Sequence, residues 1–140
     1  MYDSAPRASG PAEEDFLFTF ETHVLQKALP AFEEASRFAR DRGLDCQVEL
    51  LVDEDDHLQL CLFARLGGSQ QPSFYRIVAD TELQGLVHEQ YATHGQRMRR
   101  LGAQLDSLDG EVLDEQLAEF FQLAFGMHLD EPGHRRVSGF

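Results

Sequence analysis

The residues most suggestive of chemistry are two histidines and a glutamate near the middle of the chain, His88, Glu89 and His94. Two imidazoles and a carboxylate can bind zinc, and a glutamate beside a histidine can act as a general base. Zinc-hydrolase helices place their histidines four residues apart, so that both reach one ion. The six-residue gap here separates the two imidazoles by about 240° on a straight helix. We therefore favour a packing role for His94 and keep a metal-dependent hydrolase as the alternative.

A second candidate is the acidic segment Asp53–His57, which concentrates carboxylates that could bind a divalent cation through oxygen. It lacks the glycine and the distal glutamate of an EF-hand loop. Aspartate is common in turns, where its side chain hydrogen-bonds to nearby backbone amides. We interpret the segment as a solvated hairpin turn and predict neither a metal nor another cofactor.

A third candidate is the segment Arg97–Arg100, in which three arginines surround Met98. Arginine suits phosphate, nucleic acid or an acidic partner. The whole chain, however, has 12 Lys and Arg against 25 Asp and Glu, a net charge of −13. Such a field repels nucleic acid and anionic membranes and favours a basic partner. We expect these arginines to pair with acidic side chains of a neighbouring helix, such as Asp114, Glu115 or Glu119.

Motifs for nucleophilic catalysis do not occur in the sequence. It contains no Gly-x-Ser-x-Gly elbow, no phosphate-binding glycine loop and no Cys-x-x-Cys pair. The two cysteines, Cys46 and Cys61, are too few for a disulfide scaffold, and in predicted strands they behave as small hydrophobic residues. The sequence therefore favours a non-catalytic protein.

The first element that could position these groups is an N-terminal helix beginning at Glu13. Apolar residues recur every four positions from Phe16 to Ala28, which is the spacing of one helix face. Pro30 lacks a backbone N–H, so we expect it to kink this helix or to start a new one. Gly43 can adopt the left-handed conformation that ends a helix.

The period then changes from 3.6 to 2, which is typical of strands with one buried face. Segments 46–52 and 58–66 alternate in this way and are separated by the polar turn at 53–57, so they predict a β-hairpin. Segment 74–79 is rich in aromatic and β-branched residues and predicts a third strand. The three strands suggest an antiparallel meander with one face covered by helices.

The longest regular pattern runs from Leu83 to Val112, with apolar residues spaced by three or four positions. It predicts a helix over Thr81–Leu108, for which Thr81 and Gln84 would form a capping box. Three glycines oppose this prediction, since each destabilises a helix interior by about 1 kcal/mol. A break near Gly95 or Gly102, or a fourth strand over Leu86–Tyr91, is the alternative. A last helix is predicted over Glu111–Leu129.

The chain of 140 residues is long enough for one domain with a substantial core. We predict a flexible tail over residues 1–12, a single α+β domain over 13–130 and a second flexible tail over 131–140. The domain would contain a kinked helix, a three-stranded meander and two C-terminal helices. No apolar run approaches the ~20 residues of a membrane helix, and no secretion signal precedes the domain, so we expect a cytoplasmic protein.

The stripe Leu83–Val112 and the last helix offer more apolar residues than a three-stranded sheet needs to cover one face. We therefore expect a small acidic protein-binding module, comparable to an adaptor, a secretion chaperone or an immunity protein. Its partner would be basic or would expose an apolar segment. The expected contact residues are Tyr91, Arg97, Met98, Arg100, Leu101, Phe120, Phe121 and Phe125.

Part of this apolar surface could also join two copies of the chain. We predict a homodimer that depends on Met98 and Leu101, and the glycines would allow close helix approach. Two further alternatives remain open. One is the metal-dependent hydrolase that uses His88, Glu89 and His94, and the other is a small-ligand sensor with its ligand held between the sheet and the helices.

Overall fold

The computed structural model describes residues 11–67 and 71–128. The predicted tails therefore lie almost wholly outside the described residues, although Pro11 and Ala12 already belong to the first helix. The elements in chain order are helix α1 (Pro11–Asp41), strands β1 (Asp45–Val52), β2 (Leu58–Arg65), β3 (Ser73–Asp80), β4 (Gly85–Ala92) and β5 (Arg97–Gln104), and helix α2 (Gly110–Phe125). A short 3₁₀ turn (Leu105–Ser107) leads from β5 towards α2.

Helix α1 is a single element of 31 residues. Its predicted apolar stripe is buried: Phe20, Val24 and Ala28 have no exposed surface. Pro30 does not start a second helix, which corrects that part of the prediction, because the helix runs on through it to Asp41. Instead, residues Val24–Ala28 form a π-helical segment just before it, in which Leu29 N–H donates to the Val24 carbonyl. A π-helical turn replaces the usual i→i−4 backbone hydrogen bond with an i→i−5 hydrogen bond. The helix can therefore continue through Pro30, which has no backbone N–H to donate.

Helix α1 ends as the sequence predicts. Gly43 has φ of +96°, the left-handed region that glycine enters without steric penalty. The N–H groups of Arg42 and Leu44 both donate to the Ala39 carbonyl, which satisfies an acceptor at the helix end. The chain then reverses directly into β1.

The strands form one antiparallel sheet with the order β1-β2-β3-β4-β5. The predicted hairpin and third strand are present as β1, β2 and β3. The prediction of three strands followed by two C-terminal helices is wrong, because residues 85–104 form two further strands and, up to residue 128, α2 is the one α-helix that follows them. The class α+β is broadly right.

The apolar spacing that predicted a helix over Thr81–Leu108 has another origin. In β4, His88 and Gln90 point to the buried side together with Leu86 and Ala92, so the buried face is half polar. The sequence of β4 therefore does not show the alternation of apolar and polar residues that predicts a strand. The supposed capping box is a turn, in which Asp80 Oδ1 accepts a hydrogen bond from Leu83 N–H. The alternative reading of Leu86–Tyr91 as a strand is the correct one.

Gly85 must be glycine because β5 passes very close to it. A Cβ atom at this position would lie 2.5 Å from the backbone oxygen of Ala103. We expect Gly85→Ala to lower the free energy of unfolding by about 1–3 kcal/mol, the usual effect of overpacking. Gly102→Ala is the matched control, since its Cβ would meet no atom within 4 Å. Urea titration of both variants measures the difference, and equal midpoints would contradict the strand pairing.

Both helices lie on the same face of the sheet and enclose the core. Helix α1 packs mainly on β1 and β2, and α2 packs on β3 and β4. Helix α2 is capped at its N-terminus by Asp109, whose side chain accepts from Val112 N–H at 3.0 Å, and at its C-terminus by Gly126, which has φ of +64°. The largest fully buried side chains are Tyr75, Phe20, Phe32, Phe120 and Phe121. The opposite face of the sheet supplies the candidate site.

Candidate functional site

The site follows from the alternation of side chains along each strand, which places every second residue on the side away from the helices. The helix side of the sheet supplies the core residues Leu60, Leu62, Tyr75, Ile77 and Leu86. Their sequence neighbours point the other way. We call this second side the open face.

An aromatic row crosses the open face from β2 to β5. The strand register places Phe63 opposite Phe74, Phe74 opposite Tyr91 and Tyr91 opposite Met98. The ring centroids of Phe74 and Tyr91 lie 5.5 Å apart in a stacked arrangement, and those of Phe63 and Phe74 lie 6.4 Å apart. All three rings remain half-buried, and Met98 is 50% exposed. The row is therefore a continuous, accessible band of aromatic and thioether side chains.

A charged row runs beside the aromatic row. Glu89 accepts from Arg76 through Oε1, and its Oε2 lies 2.9 Å from Nη2 of Arg100. Glu89 is only 7% exposed, whereas the side chain of Arg100 is 62% exposed. The guanidinium of Arg76 also lies 5.1 Å from the centroid of the Phe74 ring, within the range of a cation–π contact. The two rows thus support each other, and Glu89 orients both arginines.

Charge on the open face is nearly balanced, although the chain as a whole is strongly acidic. The open face carries the carboxylates of Asp45, Glu49, Asp80 and Glu89 and the guanidinium groups of Arg65, Arg76 and Arg100. A cavity of about 290 Å³ opens at the β1–β2 end of the aromatic row, where Gln47, Glu49 and Phe63 line it. The face therefore combines apolar contact area with paired charges and a recess at one end.

Three of the eight predicted contact residues come together on this face, and the two others on β5 do not. Tyr91, Met98 and Arg100 lie on the open face in neighbouring positions of β4 and β5. Arg97 and Leu101 belong to the helix side of β5, because they are an odd number of residues from Met98 and Arg100. Both are exposed at the sheet edge. Met98 and Leu101 therefore do not share one continuous surface.

The three predicted phenylalanine contacts on α2 face the core. Phe120 and Phe121 have no exposed surface, and their ring centroids lie 5.1 Å apart. Phe125 is half-buried and packs against both rings. In this structure Phe120 and Phe121 present no surface to a partner, and we do not include any of the three in the site.

One predicted pairing between an arginine and the last helix is present. Arg99 Nη1 lies 3.0 Å from Glu119 Oε1 and also donates to Gln90 Oε1 at 3.1 Å. The buried amide of Gln90 in turn donates to the Gln116 backbone oxygen at 3.1 Å. These contacts join β5, β4 and α2 on the helix side, so we assign Arg99 a structural role.

The residues of the hydrolase alternative are not brought together. His88 points into the core and is 2% exposed, whereas Glu89 points to the open face because consecutive strand residues alternate. His94 lies exposed in the turn between β4 and β5. A metal ion or a substrate could not contact all three side chains in this arrangement.

His88 instead forms a buried pair with Tyr75. The Tyr75 hydroxyl lies 2.7 Å from His88 Nδ1, and His88 Nε2 has no hydrogen-bond partner among residues 11–67 and 71–128. Desolvation by burial lowers the pKa of His88 from 6.5 to about 4. Burial likewise raises the pKa of Tyr75. Both side chains are therefore neutral near pH 7, and neither is accessible as an acid or base.

The cysteines are equally poor nucleophiles. Cys46 and Cys61 are free, and each is 2% exposed. Burial raises the pKa of Cys61 to about 11, and burial also raises the pKa of Cys46. Since the thiolate is the reactive form, neither residue suits covalent catalysis at neutral pH.

Asp53, Asp55 and His57 can bring three ligand atoms within 4.8 Å of one another. However, Asp53 Oδ1 accepts from the N–H groups of Asp55 at 2.8 Å and His57 at 2.9 Å. This is the hydrogen bonding of a turn that begins with aspartate. The cluster is explained by the β1–β2 hairpin, and we assign it no ligand.

The predicted contact residues omitted Phe63, Phe74, Arg76 and Glu89, which are four of the seven residues in the two rows. The sequence contains a signal for them, since Phe63 and Phe74 lie in predicted strands at positions that alternate with the buried residues. Contiguous apolar side chains on the solvent side of adjacent strands commonly mark an interaction site. The register between β2 and β3 is what places Phe63 directly opposite Phe74, and the sequence alone does not define it.

Neither of the two long helices in the described part of the chain combines the length and the apolar character needed to cross a membrane. No protein-family model, curated protein or solved structure matches this chain. Its function is therefore argued from the geometry of the open face.

Proposed function

We propose that this protein is a non-catalytic binding module that holds a segment of another protein against the open face of its sheet. The observation that carries the proposal is the aromatic row Phe63–Phe74–Tyr91–Met98, which stays accessible beside the ordered charged row. Aromatic residues, methionine and arginine are the types enriched in protein interfaces. A sheet face of this composition favours protein recognition over catalysis.

The expected partner carries apolar side chains flanked by basic residues. The apolar side chains would lie along the aromatic row, where stacked rings provide contact area with little further loss of side-chain freedom. Basic flanks would be attracted by the chain as a whole, whose net charge is −13. Oppositely charged surroundings accelerate association, and the paired charges of the open face set the orientation.

We place this activity in the cytoplasm as part of the same proposal. Both cysteines are free, which is usual for proteins of reducing compartments. A protein that masks or escorts a partner, as an adaptor or a secretion chaperone does, also needs no catalytic group. Such a role agrees with the buried, neutral state of His88 and the two thiols.

Met98 offers the cleanest test, because it is half-exposed on an edge strand and contributes little to the core. We expect Met98→Glu to weaken partner binding about tenfold or more, since it places a charge at the end of the aromatic row. The measurement is affinity capture from native cell extract, with the bound proteins quantified by mass spectrometry. Circular dichroism would verify that the variant is folded.

Leu83→Glu is the matched control for this experiment. Leu83 is 82% exposed in the turn between β3 and β4, outside both rows, so it introduces the same charge elsewhere. The proposal requires a protein that is retained by wild type and by Leu83→Glu but lost with Met98→Glu. Equal retention by all three chains would contradict the open face as the binding surface.

A further inference from the structure

We infer that two copies of this chain associate through the free edge of β1, which pairs antiparallel with β1 of the second copy around Leu50. This goes beyond the proposed function and involves a different surface. The sheet has two edges, β1 and β5, and the two edges differ sharply in how they are protected.

Positive charge on the β5 edge prevents it from pairing with another strand of the same kind. This edge carries Arg97, Arg99 and Arg100, which would oppose like charges if β5 paired with itself. The β1 edge contains no lysine, arginine or proline, although such residues commonly block strand edges. It instead exposes three successive apolar side chains, with Leu50 at 42%, Leu51 at 38% and Val52 at 62%. The β5 edge also exposes Met98 and Leu101, but its three arginines oppose self-pairing, whereas the apolar residues of the β1 edge have no such charges beside them.

The hydrogen-bonding direction of β1 is set by its turn. Asp53 N–H donates to the His57 carbonyl at 3.0 Å, so the backbone of Asp53 faces β2. Because this direction alternates along an antiparallel strand, Val48, Leu50 and Val52 direct their N–H and C=O groups to the free edge. Cys46 follows the same alternation, and its carbonyl oxygen accepts from Arg40 Nη1 at 3.2 Å. The open part of the edge is thus Val48–Val52.

Charge selects one register for self-pairing. With Leu50 opposite Leu50 of the second copy, Val48 lies opposite Val52, and Glu49 lies opposite Leu51. A shift of two residues one way places Glu49 opposite Glu49, and the other way places Glu49 opposite Asp53. Like charges directly opposite each other destabilise a sheet. Of these three registers, only the one centred on Leu50 avoids opposed like charges while it pairs apolar residues on the helix side. A register centred on Val48 would also need the Cys46 carbonyl, which already accepts from Arg40.

The flank of α1 beside this edge is also self-complementary. A groove of about 300 Å³ next to Val48 is lined by Glu33, Ser36, Arg37 and Arg40. A twofold axis brings the same groove of both copies together, so acidic and basic side chains can meet across it. Paired sheets would then continue through ten strands, with the open faces of both copies on one side.

Leu50→Lys tests the pairing directly, because it places two lysines opposite each other at the twofold axis. At micromolar concentration we expect light scattering to give twice 15.9 kDa for wild type and 15.9 kDa for this variant. The dissociation constant of the dimer should rise at least tenfold. Leu83→Lys, on an exposed turn away from β1, should remain dimeric.

Cysteine substitution tests the register. In Leu50→Cys the two new residues would face each other with Cα atoms about 5.5 Å apart, a distance that a disulfide spans. In Leu51→Cys the same atoms would be about 8 Å apart, which is too far. We expect oxidation of Leu50→Cys to give a disulfide-linked dimer. Leu51→Cys should form only as much covalent dimer as the control Leu83→Cys.

A monomeric wild type, or a dimer that persists in Leu50→Lys, would overturn the inference. Preferential cross-linking of Leu51→Cys would overturn the register. Failure here is distinguishable from failure of the proposed function, because Leu50→Lys should still retain the partner captured by wild type. In the same way, Met98→Glu should remain a dimer.

Discussion

Replacing Phe120 by alanine is expected to lower the free energy of unfolding by about 3–5 kcal/mol. The ring has no exposed surface and lies at the centre of an aromatic cluster. Its centroid is 5.1 Å from that of Phe121 and 6.1 Å from that of Tyr75. Removing it leaves a cavity between α2 and the sheet that neighbouring side chains cannot fill without leaving their rotamers. For a domain of this size, the loss is a large part of the total stability.

Phe18→Ala is the matched control, because it makes the same substitution at a site that is 72% exposed. Its effect should stay within about 0.5 kcal/mol. Urea titration followed by circular dichroism measures both variants. If Phe120→Ala were as stable as Phe18→Ala, α2 could not cover the sheet as described.

Removing the titration of His88 is expected to protect the fold in acid. The histidine is neutral in the folded protein, where burial lowers its pKa from 6.5 to about 4. Below pH 6.5 the unfolded chain therefore binds a proton that the folded chain does not. The contribution of neutral His88 to the free energy of unfolding is fully present above pH 6.5. It is lost as the pH falls towards 4, and the total loss is about 3 kcal/mol.

We expect His88→Gln to flatten this part of the pH profile, because glutamine can hydrogen-bond to the Tyr75 hydroxyl without titrating. The measurement is the free energy of unfolding from pH 7 to pH 4 for wild type and variant. The matched control is His94→Gln, which makes the same substitution at an exposed histidine. Parallel profiles for wild type and His88→Gln would show that His88 is not buried in its neutral form.

The first half of the fold could be predicted from the sequence because its hydrophobic pattern agrees with its burial. The residues spaced four apart from Phe16 to Ala28 are the buried face of α1, and the alternation in β2 places Leu60 and Leu62 in the core. Gly43 marks the helix end by its conformation. In these elements, local pattern and tertiary packing favour the same structure.

The second half could not be predicted in this way because its buried residues are partly polar. His88 and Gln90 occupy core positions of β4 and satisfy most of their hydrogen bonds through Tyr75 and Gln116, which are remote in sequence. An edge strand such as β5 also has little buried surface, so its hydrophobic pattern is weak. Residues spaced three and four apart in two adjacent strands can then imitate a helix.

The candidate site was predictable only in part for the same reason. Tyr91, Met98 and Arg100 were expected contacts, but the expected helix would have joined them to Leu101 and to the phenylalanines of α2. In the sheet they meet Phe74 and Arg76 of β3 instead. A binding surface that crosses four strands depends on strand register, which short-range sequence patterns do not define.

The proposed partner binding and the inferred dimerisation use two different surfaces, the open face and the β1 edge. The aromatic row ends at Met98 on β5, whereas the pairing edge lies at the other side of the sheet. A dimer formed through β1 leaves both aromatic rows accessible on the same side of the extended sheet. Two partner segments, or two parts of one partner, could then bind with an effective concentration that exceeds that of free chains.

The measurement that tests the central claim most directly is site-specific photo-cross-linking in the native cell. A photoreactive phenylalanine derivative replaces Met98 at the end of the aromatic row, or Phe18 on the exposed side of α1. We predict a discrete adduct with one protein from position 98, absent from position 18 and lost on adding Tyr91→Ala to the same chain. Adducts of equal yield at both positions, or none at position 98, would contradict a binding role for the open face.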